Sequence, residues 1–149
     1  MLSLAVRFFE GEYSVQLTLG QFQKLLPDIC TKETSFDPDR WIPENPLWGH
    51  CAVVSLLAND FFGGGFVRAF LDGTPFADVG SHYWNVLPDG TEYDFTKVQF
   101  GRTELQLKGK LTKSDGKPID REYLLKNEET KKRYELLRER FESYLQQAS

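Results

Sequence analysis

The chain has 149 residues, 40% hydrophobic and 14% aromatic, and its 18 basic and 22 acidic side chains give a formal net charge of −4 at pH 7. That is apolar material for the core of one domain, 1–149, but no bilayer span: the longest uncharged stretch, 45–59, carries His50, Ser55 and Asn59, where a crossing needs about 20 apolar residues. Up to residue 107 there are 7 Lys or Arg against 14 Asp or Glu, and beyond it 11 against 8, yet the tail's basic residues alternate with acids and form no patch of the kind that nucleic acid needs.

The N-terminus puts Arg7 inside its apolar run and Glu10 and Glu12 just after it. With no small-residue cleavage pattern it does not read as a signal peptide, and a cytoplasmic location is expected. In that setting Cys30 and Cys51 are expected to be free thiols. A zinc site would have to gather Cys30, His50, Cys51 and His82, and the adjacent pair His50 and Cys51 lacks the usual ligand spacing. No metal and no organic cofactor are expected.

Leu19, Phe22, Leu25, Leu26 and Ile29 recur at helical spacing and predict a short helix over 19–30, with Pro27 breaking its last turn. Residues 31–48 hold three prolines among Asp, Ser and Thr, which is loop chemistry. In 49–62 the apolar residues Ala52, Val53, Val54, Leu56, Leu57, Ala58, Phe61 and Phe62 fall on nearly every side, the pattern of a buried central helix. Gly63, Gly64 and Gly65 end it, and with no Lys-Ser/Thr pair after them they are not a phosphate loop. Residues 66–71 and 81–87 read as strands, and Pro88-Asp89-Gly90 followed by 91–96 completes a β-hairpin. Residues 101–111 are ambiguous and 112–118 read as a loop. From about Asp120 the chain is helical to the end with an interruption near Asn127, and Asn127 with Thr130 suits the start of the last helix. There Tyr134, Leu137, Phe141 and Tyr144 form one apolar stripe, leaving a charged side to solvent.

Cys51 stands two residues after Gly49 at the start of the central helix, where unpaired N–H groups and the positive end of the helix dipole favour a thiolate. By itself Cys51 reads as a small buried core residue, since free cysteine is among the most buried residue types. The hairpin adds a second feature. A three-residue connection, with Pro at the second turn position and Gly in the bulge, pairs Leu87 with Thr91 and sets Trp84 opposite Asp94. Side chains alternate along strands, so His82, Trp84 and Asp94 share a face, with His82 and Asp94 diagonal neighbours. A two-residue loop would separate them. An imidazole held by a carboxylate can take a proton from a thiol and return it to a leaving group, which makes Cys51, His82 and Asp94 a candidate nucleophile, base and orienter. Asn85 points to the other strand face.

Residues 43–62 (PENPLWGHCAVVSLLANDFF), 80–100 (GSHYWNVLPDGTEYDFTKVQF) and 124–137 (LLKNEETKKRYELL) resemble the YunG-like family of small bacterial proteins, over about 19–137. More distantly, the Gly-x-Cys helix start, the Gly-x-His-x-Trp strand and the Asp-x-Thr strand are similar to the transglutaminase-like branch of the papain-like cysteine enzymes. That resemblance implies a catalytic triad of Cys51, His82 and Asp94. It also implies an α+β fold with a papain-like, transglutaminase-like core: a central helix packed on a small antiparallel sheet, with flanking helices. The family's usual residue before the cysteine is Gln, where this chain has His50. His50 could donate to an oxyanion only in one tautomer or when charged. Asn45 carries an amide donor of the same kind, and also suits a turn before Pro46. Trp48 and Trp84 are expected to wall the core or the cleft.

The expected function is a cysteine-dependent acyl transfer to or from a peptide, a small amide or a thioester, by hydrolysis or transfer. The alternative is a catalytically inactive papain-like binding or scaffold protein. No nucleic-acid or membrane partner is expected.

Overall fold

The computed structural model describes residues 3–7 and 14–148, with side chains described over 16–147. The architecture is α+β. Two strands open it, β1 (Ser3–Arg7) and β2 (Ser14–Thr18), paired antiparallel with Val6 opposite Val15. Helix α1 (Leu19–Ile29) begins in a capping box in which Thr18 and Gln21 each accept the other's backbone N–H, satisfying two otherwise unpaired donors. Pro27 was expected to break the last turn, but α1 runs on to Ile29. A proline removes one donor near a helix end, and burial of Leu25, Leu26 and Ile29 holds the turn in place.

Helix α2 (Cys51–Phe62) is the centre of the molecule. Val53, Val54, Leu56, Leu57 and Ala58 are each at most 1% exposed, as an all-round apolar helix requires. It packs against the three-stranded antiparallel sheet and against the long C-terminal helix. The sheet runs β3 (Gly65–Phe70), β4 (Ser81–Val86), β5 (Glu92–Tyr93), with β4 in the middle. The β4–β5 register sets Asn85 opposite Tyr93 and Val86 opposite Glu92. That is the register of a three-residue turn: Leu87 N donates to Thr91 O at 2.7 Å, and Gly90 sits at φ 90°. Residues 101–111 are irregular apart from Lys110, which bridges the free side of β3 at Arg68.

Helices α3 (Arg121–Leu125) and α4 (Glu128–Ala148) are separated at Asn127, whose Oδ1 accepts the Thr130 N–H at 3.0 Å. Tyr134, Leu137, Phe141 and Leu145 bury one side of α4, with Tyr144 packed at its margin. Asp60 of α2 fastens both helices: it pairs with Arg121 at 2.9 Å and accepts the Tyr134 hydroxyl. Phe22 of α1 lies in the middle of the core, 5.0 to 6.0 Å from the ring centroids of Phe61, Phe62, Phe95 and Phe141. No helix among the described residues is long and apolar enough to cross a membrane.

Candidate active site

Cys51 is the first residue of α2 and is partly exposed. The chain reaches it through Gly49, at φ 77°. A side chain there would strain the backbone, and its Cβ would come within 2.9 Å of Phe36 N. Gly49 is held on both sides: its N–H donates to Gln99 Oε1 at 3.1 Å and its carbonyl accepts from Phe36 N at 2.8 Å. Among the described residues no side chain caps α2. Its leading N–H groups are therefore left to whatever enters the cavity of about 480 Å³ that Cys51, Ala52 and Val53 line.

His82 lines the same cavity from β4. The imidazole is 1% exposed, edge-on to Phe100 at 4.9 Å and beside Trp84 at 5.6 Å between ring centroids. Its Nε2 meets Asp94 Oδ2 at 2.6 Å. Asp94 lies just past β5, fixed by a second bond from Thr96 N to its Oδ1 at 3.1 Å. An ionised carboxylate only accepts, so Nε2 carries the hydrogen and a neutral ring keeps its lone pair on Nδ1. Nδ1 is buried and makes no hydrogen bond of ordinary geometry, while the Cys51 thiol is near enough to act on the ring. Burial alone would push the imidazolium pKa down. The hydrogen bond to Asp94, the approach of the Cys51 thiol and the charges of both outweigh it and hold His82 up at about 9.

The two arms of the site are tied together by Gln99, a buried residue that the sequence reading did not single out. Besides receiving Gly49 N, it donates through Nε2 to Thr96 Oγ1 at 2.9 Å, and its carbonyl accepts from Asn45 Nδ2 at 3.0 Å. Gln99 stands in a 3₁₀ turn over Lys97–Phe100. A polar residue in the segment after a hairpin carries no periodic signal, so only the fold reveals it.

The other expected site residues take different places. Asn45 does not line the cavity, and its amide is engaged with Gln99 O. His50 is turned inward and fully buried. Its Nδ1 lies 2.9 Å from Trp48 O and its Nε2 2.7 Å from Thr34 Oγ1. A carbonyl can only accept, so Nδ1 is the donor and Nε2 accepts the Thr34 hydroxyl. Neither nitrogen is left for an oxyanion, and desolvation holds the His50 pKa down at about 4. Trp48 is buried against Leu71 and Phe100, with its Nε1 3.2 Å from Asp37 Oδ2. Trp84 flanks His82 on the Asp94 side and donates to Glu92 Oε1 at 2.7 Å. Asn85 faces α2, donating to Ser55 O at 3.0 Å. Cys30 is 1% exposed, and burial pushes its thiol pKa up. Among the described residues no three His, Cys, Asp or Glu side chains are grouped so as to hold a metal ion.

The family model described as YunG protein matches residues 18–146, a span that contains Cys51, His82, Asp94 and Gln99. The chain belongs to the YunG family. A relative from Bacillus subtilis (strain 168), described as "Uncharacterized protein YunG", is 34% identical over 61 residues, covering 41% of this chain and 47% of the relative. The matched part thus spans about half of that YunG relative. No solved structure matches the chain.

Proposed function

We propose that the protein is a cysteine-dependent acyl-transfer enzyme with Cys51 as nucleophile, His82 as general acid-base and Asp94 as its orienter, on a core of the papain-like, transglutaminase-like kind. The observation that carries this reading is His82 itself: one ring nitrogen is fixed by Asp94 at 2.6 Å, and the other is buried, unpartnered and next to the Cys51 thiol. A purely structural histidine satisfies both nitrogens, as His50 does in this same molecule.

In the proposed cycle the thiol proton already rests on His82 Nδ1, where the raised pKa of the ring holds it at pH 7, and the Cys51 sulfur attacks the carbonyl carbon of an amide or thioester. The developing oxyanion is met by the Cys51 N–H and the uncapped end of α2. His82 returns the proton to the leaving amine or thiol as the C–N or C–S bond breaks. Water or a second amine then attacks the thioacyl intermediate, with His82 again taking the proton, and free Cys51 is regenerated. No metal or organic cofactor takes part. A cytoplasmic setting suits a free thiol of this kind.

Alkylation by iodoacetamide across pH, read residue by residue by mass spectrometry, tests the reading. Cys51 is expected to react well below pH 8, with buried Cys30 as the unreactive internal control. Inertness of Cys51 until alkaline pH would remove the enzyme and leave a binding or scaffold protein on the same frame.

A further inference from the structure

The cavity over Cys51 has a charge pattern that acyl transfer alone does not call for. Lys126 and Arg133 line it, and no Asp or Glu side chain does so among the described residues. Arg133 is half-buried on α4. Its Nη2 donates to Thr130 Oγ1 at 3.2 Å, its Cζ stands 5.7 Å from the Phe36 ring centroid, and its buried Nε has no hydrogen-bond partner among the described residues. It makes no ion pair within 4.0 Å among the described residues. Burial lowers its pKa, and the charges of Glu129 and Cys51 offset this only in part. A guanidinium drawn out of water with an unsatisfied donor is a cost that an anion bound against it in the cavity would offset.

We propose that Arg133 receives a carboxylate of the substrate, so that the acyl donors presented to Cys51 are monoanionic. This inference rests on acyl transfer at Cys51. The planar edge of a guanidinium matches the two oxygens of a carboxylate. Phe36 packs against that group and limits the directions it can take. One guanidinium balances one negative charge, since Lys126 is exposed at the rim and its charge is screened. A phosphate dianion would stay under-compensated. Cationic donors are repelled.

Iodoacetate and iodoacetamide alkylate by the same step: an S–C bond forms at Cys51, the C–I bond breaks and iodide leaves. They differ in that iodoacetate carries a carboxylate. The ratio of their rates at Cys51 cancels any change in the nucleophile. At pH 7 that ratio should exceed the ratio for a small free thiol measured alongside. It should fall about tenfold in Arg133→Gln, the worth of one charge-assisted hydrogen bond, and recover in part in Arg133→Lys. In the wild-type protein, propionate should protect Cys51 from iodoacetamide while propionamide does not, a readout that needs no variant. An unchanged ratio in a folded Arg133→Gln protein, or equal protection by the two ligands, overturns the assignment and leaves acyl transfer standing. Protection by inorganic phosphate at lower concentration than propionate also overturns it. Cys51 inert to iodoacetamide at pH 7 sinks the acyl-transfer reading and this one with it.

Discussion

Gln99 and Gly49, 50 residues apart in the chain, meet in a hydrogen bond of 3.1 Å from the Gly49 N–H to Gln99 Oε1. The same amide donates to Thr96, whose backbone N–H in turn holds Asp94. The backbone leading into Cys51 is thereby linked to the segment that carries Asp94. Gln99→Leu keeps the volume and removes both bonds, leaving the Gly49 N–H unpaired in a half-buried site. It is expected to cost about 1–3 kcal/mol in urea unfolding. It should also slow Cys51 alkylation at pH 7 under conditions where the variant is fully folded. Loss of stability with no change in alkylation would mean that Gln99 only braces the fold.

Asp94→Asn tests the source of the raised His82 pKa. With the carboxylate charge gone and the burial unchanged, the ring should titrate far below its value of about 9, because desolvation then outweighs the remaining partner. Titration followed by NMR of the imidazole nitrogens reads this directly. Cys51 alkylation at pH 7 should drop about a hundredfold, the lower end of general acid-base assistance. A His82 pKa unmoved by the substitution would show that Asp94 does not control the ring.

Much of this arrangement was legible in the sequence because it depends on short-range rules. Pro88, Asp89 and Gly90 specify the turn, the turn specifies the register, and alternation along the strands then places His82 near Asp94. The apolar surround of Val53 to Phe62 marks α2 as interior in the same local way. The fate of His50 was not legible: its partner Thr34 lies 16 residues upstream in a proline-rich loop, and loop-to-loop contacts leave no period in a sequence. Strands β1 and β2 escaped for another reason. Each has five residues and pairs mainly with the other, and runs that short are weak signals even when Val15 and Leu17 alternate with polar neighbours. Arg133 reads as one charge among many on a solvated helix until it is seen to line the cavity over Cys51 with the Phe36 ring against its guanidinium.

Gly49→Ala addresses the approach to Cys51. The methyl group would have to adopt φ near 77° and press within 3.0 Å of the Phe36 and Asp37 backbone nitrogens. A non-glycine residue in that region costs about 1–3 kcal/mol before any clash is counted. The loss of stability should therefore reach or exceed that range in denaturant titration, with Cys51 reactivity falling in the protein that remains folded. A stability within a few tenths of the parent's would show that the loop over 31–37 yields easily and that the position of Cys51 is not set by Gly49.

His50 predicts the acid limb of stability. Its folded-state pKa of about 4 lies below the ordinary 6.5, so as pH falls the unfolded chain takes up this proton before the folded one does. The contribution is complete above about pH 6.5 and is lost progressively between 6.5 and 4, by an amount on the order of 3 kcal/mol. His50→Gln has no proton to gain. Its stability should be lower at pH 7, where the bonds to Trp48 and Thr34 are perturbed, yet fall less steeply toward pH 4. The gap between the two proteins should therefore narrow as the solution is acidified. Urea midpoints at pH 7, 5.5 and 4 for both proteins measure that gap, and the carboxylates they share cancel in the comparison. A gap that stays constant would place the His50 proton in the folded state already, which its two hydrogen bonds and full burial rule against.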